Sequence, residues 1–356
     1  MTSPVVDLAD LAGLLGVDER QDGLARRVLR ASRVVSPGFA AYVLSVVALS
    51  GPELSAEGAR ELQRIVDRAD ALRAVADLVA DLEPQVCKGS TIAACYPDGT
   101  RRHVGDVDLC LPSAAAVWTA AVRIAAERPV ERVSVQTIAD QVAISLSWSA
   151  PDPLYEADLH VDVFTTPYWG DGAGMPVRTY DHTLPPAVQS VMLLLEERCQ
   201  RAWQATDFVD LAYLVRCTDQ PELVRAAAPL GLSRWLGALL DQAVAHDIDG
   251  VVPLAPELGR PHDGAVRAVR GAVHVGLPLD VGPSSGAVEM IETDDVTLVH
   301  APFGAFLMTS VADVTEEQVD RAEALLDDPT SREAPDVRVT RLSAPVAPRS
   351  GALAAG

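Results

Sequence analysis

Apolar positions near the start of the chain recur at the spacing of a helix. Leu24, Val28, Leu29 and Val34 fall on one face. After Ser36-Pro37-Gly38, the run Phe39 to Leu49 predicts a second, largely buried helix, and Gly51-Pro52 breaks the chain. A third helix starts at Ser55 and reaches about Leu82; its Arg60, Arg64 and Arg68 alternate with acidic residues, which reads as a solvated face. The period then changes to two. Val104 to Leu111 predicts a strand, and Pro112-Ser113 caps a helix over Ala114 to Glu127. Val130 to Thr137 and Gln141 to Trp148 alternate as a hairpin joined at Ile138-Ala139-Asp140, and Tyr155 to Thr165 is a further strand.

Helical pattern returns over residues 185 to 245, with a buried run from Val191 to Leu195. A proline- and glycine-rich stretch, 250 to 264, reads as a linker. Strands are expected at Ala272 to Leu277, Ala287 to Ile291, Val296 to His300 and Ala305 to Val311. A last helix runs from near Val314-Thr315-Glu316 to Leu326. The fold class expected is α+β: a mixed sheet core flanked by helical lobes. The segments are an amino-terminal helical lobe (1–84), a core (85–182), a second helical lobe (183–249), a small α+β appendage (250–342) and a disordered tail (343–356).

Composition narrows what such a fold would do. The 356 residues carry a formal net charge of −21, which argues against a general nucleic-acid binder, because neutralising phosphates needs clustered Lys and Arg. Met1 to Asp10 lacks the basic segment of a signal peptide. The longest apolar run, Phe39 to Leu49, is far short of the ~20 residues of a membrane span. The five cysteines, Cys87, Cys95, Cys110, Cys199 and Cys217, form no metal-ligand spacing and read as reduced thiols. A cytoplasmic protein without a membrane partner is expected. His246, His262, His274 and His300 show no zinc spacing.

Candidate chemistry concentrates between residues 88 and 111. A small-residue turn, Lys88-Gly89-Ser90, opens the apolar stretch Thr91 to Tyr96, and a basic loop containing Arg101 follows. The strand after it carries Asp106 and Asp108 at i and i+2, on one face and roughly 7 Å apart at the Cα atoms. Two carboxylates so placed repel unless a positive charge lies between them, and hard cations such as Mg²⁺ prefer such oxygen donors and share them with phosphates. The turn offers backbone N–H groups and a hydroxyl suited to phosphate oxygens. Of the 29 Lys and Arg residues a single one, Lys88, is lysine, which hints that a compact ammonium is wanted there.

Gly-Ser, a gap, and then Asp-hydrophobic-Asp resembles the signature of the nucleotidyltransferase superfamily that includes DNA polymerase beta and kanamycin nucleotidyltransferase. The longer string Lys88-Gly89-Ser90, Tyr96-Pro97-Asp98, Arg101, Asp106-Val107-Asp108-Leu109 is similar to a bacterial branch found in biosynthetic gene clusters. The resemblance spans roughly residues 85 to 215. It implies a nucleotidyltransferase core over 85–182 and transfer of a nucleoside monophosphate from a nucleoside triphosphate, ATP first, to a hydroxyl or similar acceptor, with release of pyrophosphate. Asp106 and Asp108 would hold one or two Mg²⁺ ions, and Lys88, Gly89, Ser90 and Arg101 would bind the nucleotide.

The resemblance also implies a third carboxylate on a neighbouring strand, as a metal ligand or as the base for the acceptor. Asp158 in Asp158-Leu159-His160 is the first candidate and Asp162 the second; the other reading is an edge strand whose polar face meets water. His160 would relay a proton or simply pack. Asp207-Phe208-Val209-Asp210-Leu211 resembles the helix that follows such cores; Arg201 and Asp207 would then line the cleft, or form a structural ion pair. The glycine-rich stretch Gly170 to Gly174 would be a closing loop or an ordinary connector. The acceptor stays open among a small molecule, a peptide and a protein. Two other classes remain: a non-catalytic nucleotide-binding scaffold, and a metal-dependent phosphate-ester hydrolase.

Overall fold

The computed structural model describes residues 6–50, 53–170, 175–198, 201–246, 251, 266, 268–284, 286–310 and 314–343. The glycine stretch 171–174, most of the predicted linker, Cys199, His262 and the tail beyond 343 lie outside the described residues. In chain order the elements are α1 (Leu8–Leu14), α2 (Leu24–Val35), α3 (Pro37–Leu49), α4 (Ala56–Leu78), β1 (Gln85–Cys87), α5 (Gly89–Ala93), β2 (Val107–Cys110), α6 (Ala114–Glu127), β3 (Arg132–Ile138), β4 (Gln141–Trp148), β5 (Leu159–Phe164), α7 (Pro186–Glu197), α8 (Ala205–Leu214), α9 (Gln220–Ala227), α10 (Ser233–Ala245), β6 (Val273–Leu279), β7 (Glu289–Glu292), β8 (Thr297–Ala301), β9 (Gly304–Thr309), α11 (Glu316–Asp327) and β10 (Arg338–Arg341). The chain is therefore mixed α+β. Its contacts divide it into two units, each assembled from separate stretches of sequence.

The first unit comprises residues 1–74, 85–108 and 167–269. Ser36 caps α3, accepting from Phe39 N–H (3.0 Å), and a proline stands in the first turn where no backbone donor is needed. Phe39 to Val47 is almost wholly buried, so α3 is a core helix without a polar face. α7 is similar: every residue from Val188 to Glu196 is buried, and it packs on β1, α5, α8 and α9. Inside it, Glu196 forms a buried ion pair with Arg178 and also accepts from Gly170 N–H (2.8 Å), which anchors the chain entering and leaving residues 171–174.

The second unit comprises residues 75–84, 109–166 and 270–356. Ser113 caps α6, accepting from Ala116 N–H (3.2 Å), and α6 lies on β4 and β5 with Val117, Ala121 and Ile124 among its buried residues. An antiparallel sheet runs in the order β5-β4-β3-β6-β9-β8-β7-β10. β3 and β4 form a hairpin in which Ile138 faces Gln141, so Ala139-Asp140 is the whole turn. β6 continues the same sheet by pairing Thr137 with His274. Thr315 and Gln318 close a capping box on α11, whose Ala322, Leu325 and Leu326 bury against Ile291, Leu298 and Leu307.

Two strands are shorter than their patterns predict. The expected strand from Val104 begins only at Val107, because the carbonyls of Val104 and Gly105 accept from Arg68 instead of a neighbouring strand. Arg68 is consequently buried, which corrects the reading of its helix face as solvated. The strand expected from Tyr155 begins at Leu159, since Tyr155 and Glu156 fold back in a turn onto Asp152 O. Among the described residues no helix is long and apolar enough to cross a membrane.

Candidate active site

Within the first unit one cavity of about 240 Å³ gathers side chains from four places in the sequence. α3 supplies Gly38, Phe39 and Tyr42; the turn after β1 supplies Lys88 and Gly89; the segment before β2 supplies Arg102, His103, Gly105 and Asp106; α7, α8 and the chain between them supply Glu197, Arg201, Asp207 and Asp210. Of the residues singled out from sequence, Lys88, Gly89, Asp106, Arg201 and Asp207 thus meet in one place. Ser90 and Arg101 are exposed and do not line it; the neighbouring arginine, Arg102, does.

Lys88 is strained. Its φ of 49° and ψ of −133° lie in a region that residues with a Cβ rarely occupy, at a cost of about 1–3 kcal/mol. The surroundings hold it there. A Cβ on Gly89 would stand 3.1 Å from Val104 Cγ1 and 3.4 Å from Asp106 O, so glycine lets the turn press against the segment that carries Asp106. Thr91 Oγ1 donates to Val86 O (2.8 Å), tying α5 back to β1.

The Lys88 ammonium lies 2.8 Å from Glu197 Oε1. Burial disfavours its charge, yet the carboxylates of Glu197, Asp108 and Asp106 outweigh burial and hold its pKa above the ordinary value. Glu197 responds in the opposite sense: burial raises its pKa, but Lys88 and then Arg201 bring it below the usual carboxylate range. Arg201 also grips Asp207, Nη1 to Oδ2 at 2.6 Å and Nη2 to Oδ1 at 2.9 Å. The ion-pair alternative for Arg201 and Asp207 therefore holds, and the pair stands at the cavity wall.

Deeper in, Arg102 donates to both oxygens of Asp210, at 2.7 Å each, and Tyr96 OH adds a bond of 2.6 Å to Oδ1. Tyr96 belongs to an aromatic trio: its ring centroid is 4.2 Å from that of Tyr213 and 5.4 Å from that of Tyr42, and the Tyr42 and Tyr213 hydroxyls share a hydrogen bond of 2.8 Å. His103, beside Gly38, has its pKa lowered to about 4 by burial first and then by Arg68 and Arg102, so its ring is neutral near pH 7. A Cβ on Gly38 would stand 2.8 Å from that ring.

Asp106 is exposed and Asp108 buried at the start of β2. Two oxygen donors two residues apart fit a hard divalent cation in kind. Among the described residues no group of three or more His, Cys, Asp or Glu side chains is arranged to hold a metal.

The remaining predicted residues belong to the second unit. Asp158, just ahead of β5, is ion-paired with Arg132. Asp162 accepts from Ser145 Oγ and lies 3.1 Å from His160 Nε2. Sequence reasoning did not single out Arg102, His103, Glu197 or Asp210 as site residues. One signal was available for the last, since Asp207 and Asp210 are three apart and share a helix face. No protein-family model, curated protein or solved structure matches the chain.

Proposed function

We propose that the first unit is the core of a Mg²⁺-dependent nucleotidyltransferase, moving a nucleoside monophosphate from a nucleoside triphosphate to an acceptor and releasing pyrophosphate. One observation carries the reading: the strained Lys88-Gly89 turn and Asp106 line one cavity, and the charges of Asp106 and Asp108 both act on the Lys88 ammonium. At about 240 Å³ the cavity is below the ~300–1,000 Å³ usual for small-molecule sites, which suits a phosphate chain better than a whole nucleotide.

Asp106 and Asp108 would hold the ion. The chemistry supplied by Mg²⁺ held there would be electrostatic stabilisation of the charge developing on the leaving pyrophosphate. The N–H group of Gly89, which lines the cavity, would donate to a phosphate oxygen of the triphosphate. Lys88 would exchange Glu197 for a phosphate, and Arg201 would keep Glu197 neutralised as it leaves. The bonds of Arg102, Tyr96 and Asp210 would fix the cavity floor so that these groups need not reorganise during the reaction. ATP is the first donor to try, and a small molecule, a peptide or a protein is the acceptor class.

The test is thermal unfolding of the full chain with each nucleoside triphosphate, with and without Mg²⁺, followed by product analysis. A Mg²⁺-dependent rise in Tm with one triphosphate, absent in Asp106→Asn, is expected from mass action. Absence of a shift with every triphosphate would overturn the nucleotide site. Turnover retained in Asp106→Asn or Asp108→Asn would overturn the metal assignment, and release of inorganic phosphate in place of pyrophosphate would favour a hydrolase.

A further inference from the structure

The second unit contains the larger cavity, about 1230 Å³, formed between the end of α4 with the following turn Ala80–Leu82, the face of α6, and the strands β6 and β9. Its floor is apolar: Val122, Val133, Leu279, Phe303 and Phe306. Phe303 stands in the short β8–β9 connection and is half-buried, its ring stacked against Trp118 at 6.5 Å with 11° between planes. Leu279 and Val133 are also only half-buried, so apolar surface is left uncovered there.

The rim has one sign. Asp77, Asp81, Glu127 and Glu131 line it, against a single cation among the described residues, Arg123, which is already ion-paired with Asp81. Asp77, Glu127 and Glu131 are exposed. Glu131 accepts only from Ser149, through its Oγ at 3.1 Å and its backbone N–H at 3.4 Å, among the described contacts. Apolar floor and acidic rim together select a ligand that is greasy along one edge and cationic along the other. The volume exceeds the ~300–1,000 Å³ of ordinary small-molecule pockets, which favours a stretch of polypeptide.

We propose that this groove is a docking site for a basic amphipathic peptide segment, with its apolar side chains on Leu279 and Phe303 and its Lys or Arg groups at Asp77, Glu127 and Glu131. Charge complementarity identifies the occupant, and every residue lining the groove belongs to the second unit.

The experiment is fluorescence anisotropy with the full chain and three labelled decapeptides, alternating Lys-Leu, Lys-Ser and Glu-Leu. Because the whole chain is acidic, two charge-matched variants are compared. One neutralises the rim (Asp77→Asn, Glu127→Gln, Glu131→Gln) and one an exposed face of α11 (Glu317→Gln, Asp320→Asn, Asp327→Asn). Lys-Leu is expected to bind best, with about a tenfold loss in the rim variant and little change in the α11 variant. Absence of Lys-Leu binding, equal binding of Glu-Leu or Lys-Ser, or equal loss in the two variants would overturn the proposal.

Discussion

Arg102 meets Asp210 with two parallel bonds, Nε to Oδ1 and Nη2 to Oδ2, both 2.7 Å; the carboxylate is buried and the guanidinium side chain mostly so. This fixes the segment ahead of β2 against α8 and so sets where Asp106 stands. A buried pair of this kind contributes little over an apolar replacement, but breaking it leaves an uncompensated charge. Asp210→Ala is expected to cost about 3–5 kcal/mol in urea unfolding, and the double variant Arg102→Met/Asp210→Leu to recover much of that loss. Equal destabilisation by the single and double variants would show that the Tyr96 bond to Asp210, and not the ion pair, is what matters.

Every cation in the first-unit cavity already has a carboxylate: Lys88 has Glu197, Arg201 has Glu197 and Asp207, and Arg102 has Asp210. If the proposed nucleotide site is right, an incoming triphosphate has to compete with them. Glu197→Gln weakens the competitor for Lys88 and is expected to tighten binding of the Mg²⁺–triphosphate by roughly threefold to tenfold, whereas Lys88→Met weakens it by at least about tenfold. Calorimetric titration reads both. Weaker binding by Glu197→Gln would mean that Glu197 aims the ammonium and does not restrain it.

Local pattern was enough for the elements whose fate is decided locally. The apolar run that becomes α3, the Ser113 cap of α6 and the alternation of β3 and β4 all sit where their side chains predict. The pairs that complete the site were not legible in the same way. Arg68 sits on a charged helix and reads as solvated, yet its guanidinium is claimed by carbonyls of residues 104 and 105. Arg101 and Arg102 are adjacent and alike in sequence; only the path of an irregular loop turns one outward and the other onto Asp210. Likewise, that β6 lies beside β3 depends on register and burial across more than a hundred residues, and no window of sequence contains it. The motif residues Lys88, Gly89 and Asp106 could be named because their chemistry is carried by their types and order. Glu197 could not, because an acidic residue at a helix end means nothing until Lys88 stands beside it.

His103 predicts a pH dependence of stability. Its folded pKa of about 4 lies below the ordinary 6.5, so between these values the unfolded chain binds the proton and the folded chain does not. The contribution of the neutral ring is complete above pH 6.5 and is lost as pH falls toward 4, by up to about 3 kcal/mol. Glu197 acts in the same direction: its depressed carboxyl stabilises above its ordinary pKa of 4.5 and loses that effect as pH falls further. Urea midpoints measured from pH 7.5 to 4.5 should decline, and His103→Gln should flatten the decline between 6.5 and 4.5. An unchanged slope in that variant would place the titration elsewhere.

The β3–β4 turn offers a test of strain apart from any site. A two-residue connection between antiparallel strands needs positive φ at its first or both central positions, which glycine and asparagine supply most easily. Here the first is Ala139, at φ 50°, where its Cβ crowds the backbone at a cost of about 1–2 kcal/mol. Ala139→Gly removes the strain but gives the unfolded chain more freedom, which returns part of the gain. A net increase of roughly 0.5 kcal/mol is expected, with the seven-pair register of the hairpin unchanged. Ala139→Val should lose stability, because a β-branched side chain tolerates that φ least. If Gly and Val shifted the urea midpoint alike, the turn would not be the seat of strain.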